Sequence, residues 1–181
     1  MISKEIIDGL IIVSGTLDRY ITPDAFTQFL AQFQSIPTVN ISEVLEGIPS
    51  IVSNNWEGMY QAVTHLIEYH GLKKIAFIQG PAGNQEANQR YQAYATALQD
   101  HDLPSDPDLV VRGGFVPASA KEAIQTLLGR AADGLEAIVA SNDVVALATM
   151  ESFQNHGFHI PTDIAIVGFD DFDLAWMAMP P

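Results

Sequence analysis

The side chains best placed to do chemistry are small polar groups, carboxylates, one arginine and a few aromatics. They recur just after short apolar runs. Ser14-Gly15-Thr16 follows one such run and Ser53-Asn54-Asn55-Trp56 another. The stretch from Gly80-Pro81 to Arg90 follows KIAFIQ, Gly114-Phe115 follows residues 109–112, Asn142-Asp143 follows AIVAS, and Asp170-Asp171 follows IAIVGF. Carboxylates, amides and an arginine hydrogen-bond the hydroxyls of a polyol, and aromatic rings pack its C–H faces. Such a set suits a neutral ligand of sugar or nucleobase size. Phe115 and Trp56 fit plain core packing equally well. Trp176 either closes over a ligand or packs at a chain crossover.

Other chemistries lack their parts. No G-x-S-x-G, P-loop or strand-following G-x-G-x-x-G is present, and Ser141-Asn142-Asp143 has no histidine at a readable spacing, so no catalytic residue is expected. Asp170, Asp171 and Asp173 have the charge for a hard cation but no glycine-punctuated ligand loop. His156 and His159 lack a third ligand, and His65 reads as a helix-surface group. No metal site is expected. For Arg90 the plain alternative is an exposed ion pair on a helix face.

The elements that must position these groups alternate as strand and helix, the pattern of a parallel α/β sheet. Residues 6–13 read as a buried strand, interrupted by Asp8-Gly9. Residues 23–34 read as a helix capped by Thr22, with Phe26, Phe29, Leu30 and Phe33 as its apolar stripe. Strands follow at 38–41 and 51–52, then a helix over 57–69 with Gly71 as its C′ residue. A second series has strands at 74–79, 109–111, 137–140 and 164–169, and helices at 85–100, 119–132 and 144–156. In open parallel sheets ligands bind outside the carboxyl ends of the strands, which is where the polar groups fall.

The 181 residues carry 8 Lys+Arg against 22 Asp+Glu, a formal charge of −14. No Lys or Arg follows Arg130, while Asp133, Glu136, Asp143, Glu151, Asp163, Asp170, Asp171 and Asp173 do. Phosphate backbones are bound mostly by Lys and Arg, so this chain is not expected to hold DNA or anionic lipid by itself. With no cysteine, disulfides and thiolate chemistry are excluded. No apolar run approaches the roughly 20 residues of a membrane span. Met1-Ile2-Ser3-Lys4-Glu5 lacks the features of a signal peptide, so a soluble cytoplasmic chain is the default.

Taken in order, several segments resemble the sensing core of the lactose-repressor/galactose-repressor (LacI/GalR) family of bacterial transcription regulators. They are IDGLII at 7–12, IPTVNI at 36–41, HLIEYHGLKKIAFIQGP at 65–81, Arg90 before YQAY, and GGF at 113–115. AIVASNDVVALATM at 137–150, IPTDIAIVGFDD at 160–171 and Pro180-Pro181 complete the set. The resemblance implies a periplasmic-binding-protein-like α/β fold of two doubly wound parallel-sheet subdomains, with an effector in the cleft between them. The expected division is 1–72 as a partial first subdomain, 73–173 as the second, and 174–181 as the start of a crossover back.

The same resemblance suggests roles. Arg90 matches the arginine that bonds the effector, Phe115 an aromatic that flanks its ring, and Asn142 and Asp170 polar contacts. Asn54 and Asn55 stand where the family often has Asp-Asn, so the usual acid is missing. The implied partners are a small-molecule effector, a second copy in a homodimer, and DNA through an N-terminal head absent from this sequence. No cofactor is implied. A sensor fused to a histidine kinase or diguanylate cyclase, or a periplasmic sugar-binding protein, are the other readings. With the family's opening strand–helix units and its continuation past Pro181 also absent, the chain reads as an internal fragment. Its first strand, without a Lys or Pro inside it, then becomes an exposed edge, and residues 1–70 the less stable half.

Overall fold

The computed structural model describes residues 6–17 and 21–180. Met1–Glu5, on which the signal-peptide reading rests, lies outside the described residues. The chain forms two compact units: residues up to Asn54 together with Asn84–Glu86, and Asn55–Gly83 together with Ala87 onward.

The first unit holds β1 (Leu10–Val13), α1 (Pro23–Ala31), β2 (Thr38–Ile41) and β3 (Ser50–Ile51). Its three strands pair in parallel in the order β1-β2-β3, with Leu10 opposite Thr38 and Asn40 opposite Ser50. The Thr22 hydroxyl caps α1 by accepting from the Ala25 N–H at 3.3 Å. The helix is shorter than its apolar stripe suggests. The Gln32 and Phe33 N–H groups reach back only three residues, to the Phe29 and Leu30 carbonyls, and Pro37 then holds the chain extended. β1 is also shorter than expected, because pairing begins only after Asp8-Gly9, where the Leu10 N–H meets the Pro37 carbonyl at 2.8 Å. Nor is it buried throughout. Ile12 points into the core with Phe33 and Ile36, whereas Ile11 is 72% exposed, since successive strand residues face opposite ways.

The second unit holds α2 (Asn55–Glu68), β4 (Ile75–Gln79), α3 (Gln85–Asp100), β5 (Val110–Arg112), α4 (Pro117–Arg130), β6 (Ala137–Ala140), α5 (Asp143–Asn155) and β7 (Ala165–Val167). The four strands are parallel in the order β5-β4-β6-β7. Helices cover both faces. Ile75 and Phe77 pack on one side against Met59, Val63 and Leu66 of α2 and Ala93, Tyr94 and Leu98 of α3. Ala76 and Ile78 pack on the other against Ala120, Ile124 and Leu127 of α4 and Val145 and Phe153 of α5. Tyr94 can be buried there because its hydroxyl donates to the Ile75 carbonyl at 2.8 Å.

α2 therefore belongs to the second unit, and the division falls at Asn54/Asn55 and not near Gly71. The reason is packing: the i, i+4, i+7 stripe of Met59, Val63 and Leu66 lies on the second sheet. Gly71 does stand just past the helix in a left-handed conformation, φ +69°, as its C′ role requires.

Candidate functional site

The order β5-β4-β6-β7 places a topological switch between β4 and β6, where successive connections leave in opposite directions and a crevice opens at the carboxyl ends. Arg90, in the second turn of α3, sits at that point and is only 4% exposed. A guanidinium taken out of water has to be paired and hydrogen-bonded. Its Nε donates to Asn55 Oδ1 at 2.8 Å, and one terminal nitrogen donates to the Ser141 carbonyl at 2.6 Å. The same nitrogen lies 3.0 Å from Asp170 Oδ1. The flat cation lies 4.0 Å from the Phe169 ring centroid and 5.9 Å from that of Phe115, both within cation–π range.

Three loops hold this arrangement. Asn142 caps α5, its Oδ1 accepting from the Val145 N–H at 3.0 Å while its Nδ2 donates to the Phe115 carbonyl at 3.1 Å. The Ser141 hydroxyl reaches the Gly114 carbonyl at 3.3 Å. Asp143, buried, accepts the Phe172 N–H at 2.8 Å and so fixes the turn that presents Asp170. In that turn Asp170 and Asp171 both have positive φ, +114° and +56°. Strain of this kind persists only where surrounding contacts over-determine it, and it concentrates at binding sites. Burial pushes the Asp170 carboxyl above its ordinary range; Arg90 draws it back, and the nearby Asp143 charge pushes it up again. At Gly80 an added Cβ would sit 2.6 Å from both Ala87 Cβ and the Phe115 ring, so the missing side chain there is what lets Phe115 lie against the loop after β4.

Of the expected site residues, Arg90, Asn55 and Asp170 are in direct contact, Phe115 lies beside them, and Asn142 braces Phe115. Arg90 is buried, so it is no exposed helix-face ion pair. Asn55, expected as a contact from the first subdomain, belongs to the second unit and positions Arg90. Asn54 is exposed in the first unit. Trp176 stands in a single 3-10 turn, 73% exposed, outside the Arg90 cluster. Trp56 stacks on Tyr60 at 4.9 Å and is partly exposed.

Sequence reading missed Phe169 and the structural part of Asp143. The signal for Phe169 was available: in GFDD it directly precedes the acid that pairs with Arg90. A separate cleft of about 360 Å³ lies between the 80–83 loop and residues 112–114, with Asn88 and Tyr91 on its wall; Arg90 does not line it. Among the described residues no three His, Asp or Glu side chains cluster to hold a metal ion, those of Asp170, Asp171 and Asp173 included. No described helix is long and apolar enough to cross a membrane.

Comparison with known proteins places the chain as a whole. Residues 63–181 match the model of the periplasmic binding protein-like domain. The HTH-type transcriptional repressor PurR of Aliivibrio salmonicida is 30% identical, and the match covers 100% of this chain and 53% of that protein. Among solved structures, the transcriptional regulator CelR in complex with cellobiose superposes with a TM-score of 0.81 at 32% identity, covering 97% of this chain and 52% of that one. A LacI-family regulatory protein from Chloroflexus aggregans gives a TM-score of 0.82 at 28% identity, covering 98% and 62%. The chain spans about half the length of the curated relatives it matches.

Proposed function

The chain belongs to the periplasmic binding protein-like domain family, in the form that LacI-family regulators carry, and on that footing we propose that it is the effector-sensing core of a bacterial transcription regulator. It acts as a binding module, not as an enzyme. Its effector is a small neutral molecule with several hydroxyls, a sugar or related polyol, with a nucleobase as the other member of the class. DNA contact belongs to a helix-turn-helix head outside these 181 residues, the working assembly is a homodimer, and the compartment is the cytoplasm.

The observation that carries this reading is the buried Arg90, paired with Asp170 and faced by Phe169 at the carboxyl ends of β4 and β6. The Arg90–Asp170 pair carries no net charge and Asp143 adds a negative one beside it, which favours hydroxyls over an anionic ligand. A guanidinium and a carboxylate offer donors and acceptors to adjacent hydroxyls, and the Phe115 ring offers an apolar face. In this role Arg90, Asp170 and Phe115 touch the effector, and Asn55 and Asn142 position them.

The test is a panel of monosaccharides, disaccharides and purines screened by thermal shift, then calorimetry on the full regulator. A sugar or nucleobase should bind, and Arg90→Ala should weaken it by about 1.5–3 kcal/mol, the scale of a hydrogen bond to a charged group. Unchanged affinity in that variant would remove Arg90 from the site. Binding of none of the panel would overturn the reading.

A further inference from the structure

At the far end of α2 from Asn55, two imidazoles converge. His65 lies in the last turn of the helix and His70 just beyond it, and their Nε2 atoms are 3.2 Å apart. Both side chains are exposed. Their orientation is fixed by neighbours. Tyr69 stacks on His65 with centroids 5.1 Å apart and planes within 13°, and His70 stands edge-on to both rings, at 84° and 78°. The left-handed Gly71 ends the helix directly after His70, its N–H donating to the Ile67 carbonyl at 3.0 Å.

We propose that His65 and His70 form a Zn²⁺ clasp, with water completing the metal's shell. Zinc–imidazole bonds of about 2.0–2.1 Å at the tetrahedral angle put two ligand nitrogens about 3.3 Å apart, close to the spacing already present. Adjacent positions of a square-planar Cu²⁺ shell need a closer approach, so the geometry favours zinc although copper is the stronger binder in general. The two nitrogens share a hydrogen bond in which one Nε2 carries the proton. Zinc would take the place of that proton: with both rings protonated on Nδ1, each Nε2 lone pair is free for the metal, and the Nδ1–H groups can donate to water. The last carbonyls of α2 add negative potential at this helix end, and the formal charge of −14 attracts a cation to the chain. Glu68, on the same turn, is engaged by His101 at 3.1 Å, and among the described residues no third carboxylate or imidazole completes a cluster of three. The site therefore keeps open positions and is exchangeable, unlike a closed structural zinc site.

The experiment is ZnCl₂ titration of the 181-residue chain by calorimetry, paired with ring ¹⁵N spectra of its five histidines. One Zn²⁺ per chain should bind, with shifts confined to the rings of His65 and His70. His65→Gln and His70→Gln should each weaken binding about tenfold or more, while His156→Gln leaves it unchanged. Ring shifts at His101, His156 or His159 in place of this pair, affinity unchanged in both clasp variants, or no heat with zinc in large excess over the chain would each overturn the proposal. The spectra of the unaltered chain decide the matter even if a variant fails to fold.

Discussion

LIIV in β1 and AIVA in β6 look alike as strings, four apolar residues each, yet the protein treats them differently. All four residues of β6 are buried, while β1 buries only Ile12. β6 lies inside a sheet with helices on both faces. β1 lies at the edge of a three-stranded sheet in a unit with one described α-helix, and it leaves Ile11 and Val13 exposed, as β2 and β3 leave Ile41 and Ile51. An apolar run thus specifies a strand. What covers the strand is decided by helices elsewhere in the chain.

The sharpest way to break this contrast is a pair of truncations. Phe77→Ala, in the two-sided core, should cost about 3–5 kcal/mol through lost burial and the cavity it leaves. Ile11→Ala should cost less than about 1 kcal/mol, since an exposed side chain loses little. Denaturant unfolding of both variants measures the difference, and equal losses would mean that the two sheets are equally packed.

Hydrogen exchange sharpens the same comparison without mutation. Amides of Ile75–Ile78 should outlast those of Ile11–Val13 by about two orders of magnitude or more, because local openings are cheapest where few apolar contacts resist them. Equal protection in a monodisperse monomer would show that the first unit draws stability the exposure pattern does not reveal.

The smallest expected effect concerns the start of the second sheet. Glu136 accepts the Lys73 and Lys74 N–H groups at 2.6 and 2.8 Å, and these two bonds, Lys74 first, hold its carboxyl below the ordinary value of 4.5. Since the folded value is the lower one, the contribution is complete above about pH 4.5 and fades as the pH falls through the depressed folded value. Glu136→Gln should therefore lower stability modestly at pH 7 and flatten this part of the acid limb. Unfolding midpoints of the two proteins between pH 3 and 7, roughly the carboxylate range, would reveal it. Parallel curves would mean that the carboxylate does not link the two backbone groups in solution.

Much of the fold was legible. The β2, β6 and α3 spans follow directly from residue pattern, since each is bounded by Pro, Gly or polar turns. The partition was less so. Met59, Val63 and Leu66 declare that α2 has an apolar face, but nothing in their spacing says which sheet it covers. Likewise Arg90 and Asp170 could be nominated one at a time from their places after strands. That Asn55, 35 residues earlier, accepts from the Arg90 Nε depends on where α2 lands, and Phe169 looked like one more apolar residue at a strand end.

The two-faced packing of β4 has a consequence for how this segment can change. Ile75 and Phe77 serve one core while Ala76 and Ile78 serve the other, and the two sets alternate along a single strand. Swapping one apolar side chain for another disturbs one core by a methyl or two. Gaining or losing a single residue exchanges the sets, sending Phe77 toward the space shaped for Ala76 or Ile78, with every neighbour displaced at once. Across this strand the chain is forgiving in spelling and unforgiving in count, and an added or lost residue does least harm in the loops beyond its ends.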